Sequence, residues 1–166
     1  MAKHVVATDV NRGNILPLLE ANIKKNSACD ETKKCDNVKV CELDFFWDNY
    51  PDELLQNLQE SDIILAADVV YIESVTRNFV KTLRQIFQTS PKPKVAYIAI
   101  EKRCETKKGG EIIAPMFEFF VKCVQELHNV EINDKKVLVE QLIIDFPKYF
   151  VYTRVAELTL WKISFG

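Results

Sequence analysis

The sequence predicts an α/β fold whose mostly parallel sheet ends in an antiparallel pair of strands. Short apolar runs alternate with helical stretches along most of the 166 residues, as in strand–helix–strand units. Asp62–Ala67 is nearly all apolar, as expected for a strand covered on both faces, and Val95–Ile100 is another continuous apolar run. The last two runs, Lys136–Ile144 and Glu157–Ile163, have no helical stretch between them and indicate a terminal hairpin.

The other elements follow the same alternation along the chain. A first strand is predicted over Val5–Thr8, bounded by Asp9, and a helix over Leu16–Asn26, where apolar residues recur at helical spacing. The remaining predictions are a strand over Val38–Leu43, a short helix over Asp52–Gln59, and longer helices over Val75–Gln88 and Ile112–Leu127.

Composition and charge predict one globular domain over residues 1–166. The chain is 48% hydrophobic and 28% charged, which is ordinary for a globular protein. A net charge of −2 gives no reason to expect nucleic acid as a partner, and no apolar stretch approaches the roughly 18 residues of a membrane span. We expect a monomer.

The cysteines favour an intracellular protein with reduced thiols. There are five, an odd number, and no two form a Cys-x-x-Cys pair. A structural zinc site needs such close ligand pairs, so no metal is expected. The five are Cys29, Cys35, Cys41, Cys104 and Cys123.

Acidic residues stand where the predicted strands end. Ligands of open parallel sheets bind outside the carboxyl ends of the strands, where Asp9, Asp44 and Asp68 fall. A carboxylate such as Asp9 can accept from both hydroxyls of a ribose, and Asp44 from an adenine amino group while Leu43 or Phe45 packs on the ring. Any one of these acids could instead start a loop or cap a helix. Together they favour a nucleotide-like ligand.

The segment Asp68-Val69-Val70-Tyr71 is more specific. A spacing of three at a strand end can put a carboxylate and a phenol beside one pocket. In that case Asp68 would orient a substrate amine and Tyr71 would supply an aromatic wall. The alternative is a helix-capping Asp and a Tyr in the core.

These segments resemble the family 16 lysine methyltransferases, which have a Rossmann-like, seven-stranded fold. Asp62–Tyr71 is similar to the strand-four motif of that family, an acid followed three positions later by Tyr. Asp9 with Ile15–Ile23 is similar to its second strand and following helix, and Glu42–Asp44 matches its adenine-side motif. Further similar segments are Ile100–Arg103, Phe146–Tyr152 and Leu160–Ile163.

The resemblance implies an enzyme that transfers a methyl group from S-adenosyl-L-methionine to a lysine of a protein substrate, in the nucleus, the cytoplasm or both. Asp9, Leu43, Asp44 and Ala67 would bind the cofactor. Asp68 and Tyr71 would be the catalytic residues that hold the lysine.

One part of the family pattern is missing. The sequence has four glycines, and none forms the Gly-x-Gly turn that lets backbone approach such a cofactor. Since the chain begins where the family's second strand would be, we expect a methyltransferase fold that lacks its first strand and glycine loop. Three explanations stay open: a fragment of a longer enzyme, a natural non-catalytic form, or a compact sheet whose flanking strands pair directly.

Three other functions are alternatives to catalysis of lysine methylation. A degenerate methyltransferase fold that only docks a protein partner is the main alternative, and the missing glycine turn motivates it. A nicotinamide-dependent dehydrogenase would also use Asp9 but leaves the Asp68–Tyr71 motif unexplained. A hydrolase with a histidine base is disfavoured because neither His4 nor His128 falls at the carboxyl rim.

Overall fold

A computed structural model describes residues 2–28, 37–132, 134–148, 151–153 and 155–165. Cys29, Cys35 and Tyr149, which entered the sequence predictions, lie outside this part of the chain. The helices are α1 Ile15–Ala28, α2 Asp52–Glu60, α3 Glu73–Thr89 and α4 Pro115–Leu127. The strands are β1 Val5–Asp9, β2 Val38–Glu42, β3 Ile63–Ala67, β4 Lys94–Glu101, β5 Glu105–Thr106, β6 Ile112–Ile113, β7 Glu131–Ile132, β8 Lys135–Lys136, β9 Leu138–Leu142 and β10 Leu158–Phe165.

The chain forms two compact units, Met1–Asn57 and Leu58–Gly166. In the first, β1 and β2 pair in parallel, in register from Val5 opposite Val38 to Asp9 opposite Glu42. Helix α1 connects them and contacts both strands, as the crossover of a parallel pair requires. The single-domain prediction is not tested by this division and stays a prediction.

The second unit is built on a sheet of strand order β3-β4-β10-β9. Strands β3 and β4 are parallel, while β10 runs antiparallel to both β4 and β9. The predicted antiparallel ending is therefore confirmed. The whole sequence of strands and helices confirms the α/β prediction.

The core of the second unit lies between this sheet and helices α3 and α4. Ala96, Ile98 and Ile163 are fully buried on the covered face of the sheet. Phe120 of α4 meets Trp161 of β10 edge to face, with ring centroids 5.7 Å apart. On α3, Phe87 contacts Phe165 at 5.3 Å. Buried aromatic pairs of this kind are a large share of core stability.

A lysine belongs to this buried face. Lys94, only 3% exposed, begins β4, and its Nζ donates to the carbonyl oxygen of Gln59 at 2.8 Å and to that of Ser61. Gln59 lies in the last turn of α2, where carbonyls have no helical partner. Burial lowers the pKa of Lys94, and the positive charge of Lys92 lowers it further.

Strand β3 departs from the expectation that both of its faces are covered. Ile63 is 57% exposed and Leu65 is 78% exposed, whereas Ile64 and Ala66, on the other face, are half-buried. Successive side chains point to opposite faces, so only one face of β3 packs. A strand made almost entirely of apolar residues carries no alternation from which this could be predicted.

Two predicted boundaries were wrong for local reasons. Ile112 does not begin α4, because Ile112–Ile113 pair with β5 in a small hairpin whose turn contains Gly109 and Gly110 at φ 116° and 85°. The helix starts instead at Pro115, a residue suited to the first turn. The strand predicted from Lys136 is likewise interrupted: β8 pairs with β7 through a turn at Asp134.

Candidate functional site

The strand ends of the first unit bring Asp9 and Leu43 together. Asp9 is exposed at the last position of β1, and its Oδ1 accepts the N–H of Val10 at 2.7 Å. The N–H of Leu43 donates to the carbonyl of Asp9 at 2.9 Å, which continues the pairing of β1 and β2 beyond the strands. Parallel pairing thus places both predicted cofactor residues on one edge.

Asp44, the next residue, stabilises the turn that follows β2. Its Oδ1 accepts the N–H of Phe46 at 3.0 Å, and its carbonyl accepts the N–H of Trp47 at 3.1 Å. Such a bond to the residue two positions on is an Asx turn, so the loop-starting alternative holds for Asp44. Its Oδ2 lies 3.9 Å from Nη2 of Arg12, and the Asp44 side chain is only 20% exposed.

Arg12 and Phe46 were not identified from the sequence. Arg12 follows β1 by three residues and joins the loop after β1 to the turn after β2. Phe46 is 48% exposed, whereas Leu43 is 8% exposed and Phe45 is half-buried. Phe46 is therefore the more accessible aromatic ring beside Asp44. The sequence does mark this position as aromatic, since the three residues after Asp44 are Phe45, Phe46 and Trp47.

In the second unit, Asp68 occupies a strained position at the end of β3. Its φ is 53°, in the left-handed region that most residues avoid, although Asp tolerates it better than others. Its N–H donates to the carbonyl of Ala99 on β4 at 3.3 Å, and the exposed Ala67 before it pairs with Ala99. Backbone outliers of this kind cluster at functional sites.

Arg103 holds the carboxylate of Asp68. Its Nη2 donates to Oδ1 of Asp68 at 2.8 Å, and the two side chains are 56% and 69% exposed. Arg103 is the second residue after β4, and Asp68 is the first after β3, so the pairing of these parallel strands brings the two side chains together. Arg103 ends the segment Ile100–Arg103 that resembles the family, but the sequence alone assigns it no role.

Tyr71 is 51% exposed, and Val70 before it is buried at 5%. The alternative of a helix-capping Asp68 and a core Tyr71 is wrong, because the residue that precedes α3 is Ile72, without a side-chain capping bond. The segment therefore presents a carboxylate and a phenol to solvent from one short turn. Such a pair can contact a cation through charge and through an aromatic face.

The described residues offer neither a metal site nor a membrane span. They contain no group of three or more His, Cys, Asp and Glu side chains arranged to hold a metal ion. None of their helices combines the length and the apolar character needed to cross a membrane. Cys41, Cys104 and Cys123 are free thiols.

The amino-acid sequence is similar to a known protein family and to named relatives. A family model described as lysine methyltransferase matches residues 1–110. Methyltransferase-like protein 22 of Homo sapiens is 27% identical over 175 residues, which cover 98% of this chain and 43% of the relative. The protein of the same name from Mus musculus gives the same identity and covers 98% of this chain and 44% of its own length. The chain thus spans less than half the length of these curated relatives.

A solved structure shares the fold. The crystal structure of a candidate rRNA-methylase from Clostridium thermocellum matches with a TM-score of 0.54 at 12% identity, covering 98% of this chain and 72% of that one. At this identity the match concerns the fold alone. It agrees with the Rossmann-like, methyltransferase-type architecture that the sequence predicts.

Proposed function

We propose, because the chain belongs to the lysine methyltransferase family, that it takes part in S-adenosyl-L-methionine-dependent methylation of a lysine in a protein substrate. The observation that carries the proposal is the exposure of both Asp68 and Tyr71, three residues apart in the turn that follows β3. The methyltransferase fold is independent of this proposal.

The first unit offers residues that fit the cofactor. The exposed carboxylate of Asp9 uses Oδ1 for the N–H of Val10 and can accept ribose hydroxyls through Oδ2. Asp44 fits an adenine amino group less simply, since its Oδ1 is engaged in a turn. Phe46 supplies an exposed ring nearby in sequence. When bound, S-adenosyl-L-methionine supplies an already activated methyl group, so the protein mainly binds and orients.

The second unit supplies groups for the lysine. A free lysine has a pKa near 10.4 and is charged at neutral pH, yet only the neutral amine attacks a methyl group. Asp68 attracts the ammonium but, alone, would also raise the pKa of that lysine. Arg103 offsets this effect, because its positive charge lies 2.8 Å from the same carboxylate. In this proposal Asp68 and Tyr71 touch the substrate, while Arg103 is a positioning residue.

Cofactor binding is the first test. Titration calorimetry with S-adenosyl-L-methionine is carried out on the 166-residue chain and on the longest natural form that its gene encodes. We expect binding that the Asp9→Asn substitution weakens about tenfold, since a carboxylate that accepts from two hydroxyls contributes more than 1 kcal/mol. Asp52→Asn, at an exposed residue of α2, is the matched control. No binding by either form would contradict the proposal.

Lysine specificity is the second test. Radiolabelled methyl groups are transferred from the cofactor into an extract of cells that lack the gene, and hydrolysed products are separated by amino-acid analysis. We expect labelled methyl-lysine, absent with Asp68→Asn. Label in another amino acid would retain the methyltransferase assignment and exclude the lysine assignment.

A non-catalytic docking module is the second candidate. The observation in its favour is that Gly13, Gly109, Gly110 and Gly166 form no Gly-x-Gly turn within this sequence. It predicts a stoichiometric protein partner and no methyl transfer by any natural form.

For the intact protein, we propose a monomer in the nucleus, the cytoplasm or both.

A further inference from the structure

A cavity of about 180 Å³ opens between α3 and α4 in the second unit. Its floor is formed by Val80 of α3 with Cys123 and Leu127 of α4. Its rim carries three basic side chains of α3, Arg77, Lys81 and Arg84. None of these six residues belongs to the strand ends that form the candidate site.

The floor of this groove is apolar. Val80, Cys123 and Leu127 are 7%, 5% and 3% exposed. Burial raises the pKa of the Cys123 thiol, which keeps it neutral at physiological pH. The volume is enough for one branched apolar side chain, and burying such a chain is favourable.

The rim is basic and ordered along one face of a helix. Arg77, Lys81 and Arg84 follow each other at spacings of four and three residues, so they lie on one side of α3 over about 10 Å. The Arg77 guanidinium lies 5.0 Å from the ring centroid of Phe119, which fixes it against α4.

Acidic groups reduce this charge only in part. Among the lining residues, three are basic and one, Glu126, is acidic, while Glu73 stands one turn before Arg77. The groove is therefore positive on a chain whose net charge is −2. Such local reversal of sign directs oppositely charged partners to the site.

We infer that this groove binds an acidic segment of a partner protein, which inserts one apolar side chain between flanking carboxylates. An extended peptide advances about 3.3 Å per residue, so two acids three positions apart span the same distance as Arg77 and Arg84. Nucleic acid fits less well, because it has no apolar side chain for the floor and Glu126 repels phosphates. The inference is independent of the proposed catalytic function.

The test uses a fluorescein-labelled peptide, Glu-Glu-Leu-Glu-Glu, and the full chain at about 50 mM salt, where surface charges are weakly screened. Fluorescence anisotropy measures its Kd against those of Gln-Gln-Leu-Gln-Gln and Glu-Glu-Gly-Glu-Glu. We expect the first peptide to bind at least about tenfold more tightly than either, since it alone offers both carboxylates and an apolar side chain.

Substitutions locate the binding. Arg84→Glu, at an exposed residue that makes no aromatic contact among the described residues, is expected to weaken binding about tenfold, and Arg77→Glu/Arg84→Glu further. Lys24→Glu/Lys25→Glu on α1 is the matched control and leaves Kd unchanged. Circular dichroism checks that each variant is folded.

Three results would overturn the inference: no binding of the acidic peptide, equal binding by Arg84→Glu, or tighter binding of a single-stranded oligonucleotide that competes for the groove. If Arg77→Glu/Arg84→Glu fails to fold, the single substitution still decides the matter.

Discussion

Arg103 and Asp68 form an ion pair of 2.8 Å across the ends of two neighbouring parallel strands. The bond joins residues that follow β4 and β3, at the place where the backbone of Asp68 takes its left-handed conformation. Both side chains are more than half exposed, so the pair adds little to stability. Its significance lies in orienting a carboxylate at the proposed lysine site.

Replacing Arg103 is expected to alter the pH dependence of methyl transfer. In Arg103→Gln, Asp68 is no longer balanced by a positive charge, so a bound lysine keeps its proton to higher pH. We expect a loss of about tenfold at pH 7 and a pH–rate profile displaced to alkaline pH, with partial rescue in Arg103→Lys. The control is Lys107→Gln, in the exposed turn between β5 and β6. A loss without displacement of the profile would assign Arg103 a structural role only.

Tyr71 is expected to act through its ring more than through its hydroxyl. An aromatic face beside a cation contributes about 0.5–1 kcal/mol at an exposed site, and Tyr71 is 51% exposed. Tyr71→Phe should therefore retain most of the initial rate of methyl transfer, and Tyr71→Ala should lose about two- to fivefold. Leu18→Ala, at an exposed residue of α1, serves as control. Equal losses in both Tyr71 variants would show that the hydroxyl is the required group.

Lys94 should make stability depend on alkaline pH. Burial lowers its pKa below the ordinary 10.5, so between these two values the unfolded chain binds more protons than the folded chain. The free energy of unfolding therefore rises with pH in that window. Urea unfolding at about pH 8 and pH 10 should show a smaller rise for Lys94→Met than for the unsubstituted chain. Lys108→Met, in an exposed turn, should leave the rise intact, and an unchanged rise in Lys94→Met would contradict the assignment.

The thiols should differ in reactivity according to burial. Cys104 is exposed, whereas Cys123 is 5% exposed and has a raised pKa. With N-ethylmaleimide at neutral pH, peptide mass spectrometry should find Cys104 labelled at least about tenfold faster than Cys123. In concentrated urea the two rates should converge. Equal rates without urea would mean that α4 opens readily.

Phe120 anchors the second unit. It is fully buried and meets Trp161 edge to face, so Phe120→Ala should lower the free energy of unfolding by about 3–5 kcal/mol. Phe46→Ala, at a half-exposed ring, should lower it by only about 1 kcal/mol. Chemical unfolding of both variants, followed by circular dichroism, provides the comparison. Similar small losses would show that α4 contributes little to the core.

The order of strands and helices was predictable because apolar periodicity reports which residues face a core. That is why β1, β2, β4 and the long α3 were placed within one or two residues of their observed bounds. Asp68 and Tyr71 could be singled out because they lie three residues apart, immediately after a predicted strand. Their exposure supports the interpretation of a site over that of a core residue.

Other features depend on contacts distant in sequence and could not be predicted. Asp68 and Arg103 are 35 residues apart, and only the pairing of β3 with β4 brings them together. The open face of β3 is similarly a property of its neighbours, since the strand itself is apolar throughout. The small hairpin before α4 was missed because two-residue strands carry too little periodicity to detect.

At the left-handed backbone position of Asp68, the residue that would be most stable is not the residue that carries the charge. Glycine would occupy a φ of 53° without strain and would stabilise the fold by up to about 1 kcal/mol. A chain selected for thermal endurance alone would drift toward glycine there, at the cost of its charge. Under the proposed function, an acid at position 68 keeps the carboxylate that contacts the substrate lysine and forgoes the stability that glycine would add.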